Sequence, residues 1–245
     1  MKFLTLFLVL FINLYAVVTI APVKLGEKSG FSGVVKGSLE TKRGNSELDR
    51  YTAALRAEYD GADYVLWSDF IYSYGEASGT TNTDKKYAHL RFVHRLLHNI
   101  NYELFLQSAS NEFTKVKGRN LAGAGLRYDA DLKEYGELFF GLGAFYEKIG
   151  YTTTLDPTER NIRMNSYISY VKKFSKKSKL SYVMYYQPDV EKFDDYIFSH
   201  GVELEILIYE KLYVNFVFYY DLDTKPAIGV KELDVSQKTS FSYKF

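Results

Sequence analysis

From Ser29 onward apolar and polar residues alternate with a period of two, the repeat of a strand with one face in an apolar medium and one in water. In the first such run Phe31, Gly33, Val35, Gly37 and Leu39 oppose Ser32, Lys36, Ser38 and Glu40, with Val34 out of pattern. Tyr51, Ala53, Leu55, Ala57 and Tyr59 oppose Thr52, Arg56 and Glu58. Leu138, Phe140, Leu142, Ala144 and Tyr146 oppose Glu137, Gly141, Gly143 and Glu147. Val202, Leu204, Ile206 and Ile208 oppose Glu203 and Glu205, and Leu212, Val214, Phe216, Phe218 and Tyr220 oppose Asn215 and Asp221. Several stripes begin or end in tyrosine, as the aromatic girdles of a membrane barrel require.

Turn signals divide the chain into about twelve strands, an even number as bacterial barrels use. They fall near 29–41, 47–60, 63–77, 85–98, 101–115, 119–130, 135–151, 160–174, 178–188, 196–209, 212–222 and 232–245. Longer polar connections at 42–46, 78–84, 152–159, 189–195 and 223–231 alternate with short ones at 61–62, 99–100, 175–177 and 210–211. Long outer loops and short periplasmic turns are the asymmetry of an outer-membrane barrel with both termini in the periplasm. The expected fold is therefore all-β, an antiparallel transmembrane β-barrel. A secreted soluble sandwich or barrel also alternates, but it has no use for girdle tyrosines. The chain end favours the membrane barrel: Phe241, Tyr243 and Phe245 share one face with Val235 and Thr239, opposite Ser236, Lys238, Ser240, Ser242 and Lys244. An aromatic final strand ending in Phe resembles the terminal signature read by the barrel-assembly machinery.

The start of the chain sets the expected compartment. Lys2, the apolar run Phe3–Ile12 and small residues at Ala16 and Ala21 read as a secretory signal peptide over 1–21, leaving 22–245 as the barrel. An uncleaved anchor is the competing reading, because the run approaches the ~20 residues of a spanning helix. The expected location is the outer membrane of a Gram-negative bacterium, with outer-membrane lipid as surroundings.

Composition narrows the classes further. Tyr 23, Phe 18 and Trp 1 make up 17% of 245 residues, a density suited to half-buried strand surfaces. A mean hydropathy of -0.22 excludes a helical-bundle membrane protein but not a barrel, whose alternation keeps the average low. With 31 basic and 30 acidic residues, nothing points to nucleic acid. The absence of cysteine excludes disulfides and thiolate metal sites.

Three stretches carry a family resemblance. Gly33…Gly37…Gly44-Asn45, the segment Arg119-Asn120-Leu121-Ala122-Gly123-Ala124-Gly125-Leu126-Arg127-Tyr128, and Pro226-Ala227-Ile228-Gly229-Val230…Asp234…Ser242-Tyr243-Lys244-Phe245 resemble the salt-induced outer-membrane proteins, the YdiY-like family (domain of unknown function 481). The resemblance spans essentially the chain after residue 21. It implies an outer-membrane β-barrel tied to osmotic or envelope conditions, with no established activity or ligand.

Charges facing lipid cost a few kcal/mol each at midplane, so the polar faces must line the lumen. The candidates are Lys36, Arg56, Glu58, Asp69, Arg91, Arg95, Arg127, Glu137, Glu147, Arg163, Glu203 and Glu205, together with Glu103, Asp221 and Lys238. Such a mixed set either pairs off and closes the interior or leaves a narrow wet path. Arg91 and Arg95 are expected to point inward with Tyr87 and His89, while Ala88, Leu90, Phe92 and Leu96 face lipid.

Other constellations carry little chemistry. His89, His94, His98 and His200 lack the convergent spacing of a metal site. Ser199-His200 is a conceivable hydrolase fragment, but adjacent strand residues point to opposite faces. Gly123, Gly125, Gly141 and Gly143 have no phosphate-loop spacing and suit a wall that admits bulky neighbours. No cofactor, metal or catalytic residue is expected. The expected function is an outer-membrane barrel of unassigned substrate, a narrow porin-like channel for a small solute or ion, or a salt-induced envelope protein. The alternatives are an outer-membrane lipid hydrolase or acyltransferase, and a surface binding or adhesion barrel.

Overall fold

A computed structural model describes residues 22–27, 29–42, 48–77 and 79–245. The expected signal peptide at 1–21 and most of the first expected loop lie outside the described residues. Twelve strands follow one another: β1 (Gly30–Lys42), β2 (Leu48–Asp60), β3 (Tyr64–Ala77), β4 (Thr80–Arg95), β5 (Ile100–Asn111), β6 (Val116–Asp131), β7 (Glu137–Tyr151), β8 (Glu159–Ser175), β9 (Ser178–Pro188), β10 (Tyr196–Tyr209), β11 (Leu212–Asp223) and β12 (Leu233–Lys244). Each pairs antiparallel with its sequence neighbour, and β12 returns to β1 to close the barrel. The start of β1 and the end of β12 therefore sit at one rim, here the terminal rim.

Strand boundaries depart from the expected ones chiefly at one hairpin. The outer loop expected over 78–84 is mostly strand, because β3 runs to Ala77 and β4 starts at Thr80, with Gly79 at φ 74°. Polarity marks Thr80, Thr81 and Thr83 as loop, yet the branched Cβ of threonine suits a strand wherever a partner is present. Thr80 and Thr81 register against Ala77 and Glu76. β5 stops at Asn111, earlier than expected, where the Asn111 Oδ1 accepts the Phe113 N–H at 3.1 Å and turns the chain.

The two faces of the wall are inverted relative to a water-soluble protein. Leu55, Leu66, Phe70, Leu104, Leu126, Leu142, Ile162 and Phe216 are exposed on the outside, whereas Arg91, Glu103, Arg127 and Glu147 are buried inside. Exposed tyrosines border the apolar band: Tyr59, Tyr64, Tyr128 and Tyr209 near the terminal rim, Tyr51, Tyr146 and Tyr186 toward the other. A band of this extent is far beyond the apolar patches a soluble surface carries. It matches the lipid-facing belt of a membrane barrel.

The closing seam is short. Val34 to Gly37 register against Lys244 to Phe241, and Gly33 exchanges two backbone hydrogen bonds of 3.0 Å with Phe245. The Phe245 ring lies over Gly33, occupying the space a Cβ would need. Phe241, Tyr243 and Phe245 all face outward and are exposed.

Ahead of β1, residues 22–27 fold back into the lumen. Leu25 packs with Val65, Trp67, Tyr87 and Val93, Gly26 N–H donates to Asp60 at 2.9 Å, and the Val23 carbonyl accepts from Arg127 at 3.0 Å.

Gly125 of β6 and Gly143 of β7, paired across the two strands, are sterically required. A Cβ on Gly143 would overlap the Ala124 carbonyl oxygen and lie 2.6 Å from the Gly125 Cα, backbone atoms that cannot move without parting the strands. On Gly37 a Cβ meets nothing within 4 Å. Gly143→Val is therefore expected to cost ~3 kcal/mol or more through overpacking. It should remove the folded band in a heat-modifiable gel shift, while Gly37→Val keeps it.

Candidate functional site: a divided lumen

The interior is solid along one side. Its first layer centres on Glu103, buried to 2% side-chain exposure, whose two oxygens each accept from the Tyr167 hydroxyl at 2.9 Å. Arg91 and Arg127 approach the same carboxylate at 3.7 and 3.5 Å, and Arg127 also forks onto Asp129 at 2.6 and 2.9 Å. The second layer centres on Glu147, which takes Arg163 at 2.8 Å and Arg119 on its other oxygen. Arg163 continues to Asp195 at 2.8 Å. Each cation here has a carboxylate partner, which offsets the desolvation that burial imposes.

Aromatic rings fill the space between the layers. The Arg91 guanidinium stands 5.0 Å from the Phe105 ring centroid, and that of Arg127 5.3 Å from Phe139, both within cation–π range. The rings of Phe105 and Tyr167 lie close against the wall because glycines sit beneath them: Gly123 under Phe105, Gly141 under Tyr167. A Cβ at either position would fall inside the ring above it. The glycines thus admit bulky neighbours.

The other side of the lumen holds a cavity of about 730 Å³. Its lining runs from Glu40, Arg50, Thr83 and Lys85 at the far rim to Lys179, Glu205 and Lys244 at the terminal rim. Most of its charges pair across the wall: Lys36 to Glu203 at 2.5 Å, Arg56 to Asp69 at 2.7 and 3.0 Å, Arg50 to Glu40 at 2.8 Å, and Lys244 to Glu205. Both ends are narrowed. At the terminal rim Lys24 donates to Glu137 at 2.7 Å, and that hydrogen bond holds its ammonium above the ordinary lysine value. At the far rim Lys115 Nζ donates to the Ile228 carbonyl at 2.5 Å. The β5–β6 and β11–β12 connections lie on opposite sides of the ring, so this contact bridges the mouth.

The sequence candidates divide between these regions. Lys36, Arg56, Glu58, Asp69, Glu137, Glu203 and Glu205 line the cavity. Arg91, Arg127, Glu147 and Arg163 belong to the packed side, where all four are buried. Arg95 departs from the expectation that it lines the lumen: it ends β4 at the terminal rim, 42% exposed, 3.6 Å from Asp63 in the adjacent turn. The strand ends there because Leu96 and Leu97 N–H groups both bond the Ile100 carbonyl.

The partners Arg119, Asp129, Tyr167 and Asp195, and the cavity cations Arg50, Lys85, Lys179 and Lys244, were outside the named candidates. Strand parity could have found Arg119, which shares the face of Gly123 and Arg127. Asp195 sits beyond its strand, where parity says nothing. Ser199 faces inward and is 1% exposed, while His200 faces outward among Tyr182, Phe198, Phe218 and Tyr220. That geometry removes the pair as a catalytic dyad. His94 likewise faces outward, stacked on Tyr102 at 5.3 Å.

Consecutive antiparallel neighbours, closure, a polar interior and an apolar girdled exterior define the architecture of outer-membrane β-barrels. The crystal structure of an outer membrane channel from Pseudomonas putida F1 is similar, with a TM-score of 0.57 at 12% identity over 91% of this chain and 100% of that chain. The NanC porin is similar with a TM-score of 0.50 at 11% identity, over 87% of this chain and 97% of that chain. At these identities the likeness is one of fold. No curated protein matches the chain. The family model described as "Protein of unknown function, DUF481" matches residues 35–245, and the chain belongs to that family.

The two kinds of ion pair differ in consequence. Glu103→Gln leaves Arg91 and Arg127 buried around a neutral amide, and breaking a buried pair from one side costs ~3–5 kcal/mol. Glu137→Gln breaks a half-exposed pair with Lys24 and should cost under ~1 kcal/mol. Thermal unfolding midpoints of the refolded barrel check this: Glu103→Gln falls well below wild type and Glu137→Gln stays close to it.

Proposed function

We propose that this protein is a narrow outer-membrane channel for a small solute or ion, exported through a signal peptide cleaved near Ala21. The observation that carries this reading is the cavity of about 730 Å³, reached by side chains from both rims along one wall while the opposite wall is filled. An interior that pairs off completely would need no such space, since packed cores leave few voids larger than a water. Family membership and the apolar outer belt support the location, and the terminal rim would then face the periplasm. A link to salt or osmotic stress rests on the family resemblance. We assign no catalytic role.

Residues 22–27 would narrow the periplasmic mouth, held by Leu25 in its pocket and by the hydrogen bonds of Val23, Lys24 and Gly26. The purified barrel should give small, discrete conductance steps in planar bilayers. Deleting residues 22–27 should enlarge the steps without changing heat-modifiable migration. A folded barrel that never conducts, with or without the segment, would overturn the channel reading.

Assembly through the barrel-assembly machinery would depend on the last strand. Phe245 closes the seam through its backbone and covers Gly33 with its ring. Phe245→Ala is expected to lower the amount of folded protein in outer-membrane fractions while signal-peptide cleavage proceeds normally. Unchanged folded protein would remove the assembly role.

A further inference from the structure

The cavity is not electrically neutral. Among the described residues nine basic and seven acidic side chains line it. The surplus is localised. Lys36, Arg50 and Arg56 each have a carboxylate within salt-bridge distance. Lys238 and Lys85 have none among the described residues, although both project into the same space. Lys85 looks across at Asp221 and Asp234 without closing a pair, and the charged groups that act on Lys238 are Lys85, Lys36 and Arg50, all cations. Toward the terminal rim two lysines, Lys244 and Lys179, converge on the single carboxylate of Glu205, the second at 4.0 Å. Hydroxyls of Ser73, Thr83, Ser236 and Ser240 complete the lining around Lys85 and Lys238.

Lysine suits this setting. Its ammonium is a compact point charge on a flexible stem that can follow a moving anion without locking it in a fork. The carboxylates of Glu40, Asp69, Glu137, Glu203 and Glu205 in the same wall are already engaged, so they oppose an entering anion less than free ones would. A low-dielectric wall around a surplus of one sign raises the local counter-ion concentration tenfold or more.

We propose that Lys238, with Lys85, forms the selective element of the channel and takes the carboxylate or phosphate group of a small anionic solute in transit. This deepens the channel reading and rests on it for transport, though binding can be read separately. Two arms test it.

In planar bilayers under a KCl gradient, the wild-type barrel should pass anions over cations by about tenfold at low salt, the preference shrinking as salt screens the lysines. Lys85→Glu with Lys238→Glu should reverse the sign of the reversal potential, and Lys85→Gln with Lys238→Gln should bring it near zero. Lys133→Gln, at a turn outside the barrel, should leave it unchanged. A conducting barrel whose reversal potential is the same in wild type and in the double glutamate variant overturns the selective element and leaves the channel standing.

The second arm needs no conductance. Inorganic phosphate, against sodium chloride of equal ionic strength, should raise the Tm of the wild-type barrel in detergent. It should not raise that of the double glutamine variant. A shift in wild type alone upholds the site even if no current is seen, whereas equal shifts in both, or none in either, overturn it. Malonate in place of phosphate tells a carboxylate preference from a phosphate one.

Discussion

Every other feature of this molecule depends on closing the sheet. Twelve antiparallel strands leave two rows of unpaired backbone groups unless the last meets the first, and in hydrocarbon each unpaired group would cost several kcal/mol. The seam between β1 and β12 is shorter than its neighbours: four registered pairs, Val34 to Gly37, extended by the reciprocal Gly33–Phe245 bonds. Once the ring is closed, strand alternation sends half of all side chains into a confined interior. What those inward residues do to one another then decides whether the barrel is a plug or a pore.

The lumen answers differently on its two sides. Along β4 to β8 the wall carries glycines under aromatic rings, so Phe105 and Tyr167 lie close against the backbone, and Arg91 and Arg127 pack over Phe105, Tyr167 and Phe139. Two shared carboxylates, Glu103 and Glu147, hold four arginines between them and make that side a polar core. Where β1, β2 and β9 to β12 face the interior, small side chains such as Ser38, Thr52, Ala54, Ser181, Ser236 and Ser240 stand between the ion pairs, and a cavity remains there.

The rims act on that cavity from both ends. Residues 22–27 cross the terminal mouth to reach Arg127 and Glu137, and the Ile228 loop crosses the far mouth to reach Lys115. Both caps are held by a few hydrogen bonds and one buried leucine, far less than the strand ladders between them. Low local stability of this kind is what a segment that opens and closes requires.

Strand number, order, the inward and outward faces and the aromatic borders were all legible in the chain, because a period of two translates directly into which face a residue takes. Lys36, Arg56, Glu203 and Glu147 could be placed inside the wall on parity alone. Parity failed only at strand ends, as with Arg95 and the Thr80–Thr83 hairpin, where a neighbour's carbonyls decide whether pairing continues. Which inward residues touch was not legible: Glu103 with Tyr167 lies 64 positions apart and Lys36 with Glu203 167, across a ring whose diameter and tilt no single strand records. The chain by itself determined a barrel with a mixed-charge interior. Only the tertiary closure decided that Arg91, Arg119, Arg127 and Arg163 would share Glu103 and Glu147 on one side, and that Lys85 and Lys238 on the other would have no carboxylate within salt-bridge distance among the described residues, since pairing depends on distances across the lumen and not on the order of residues along the wall.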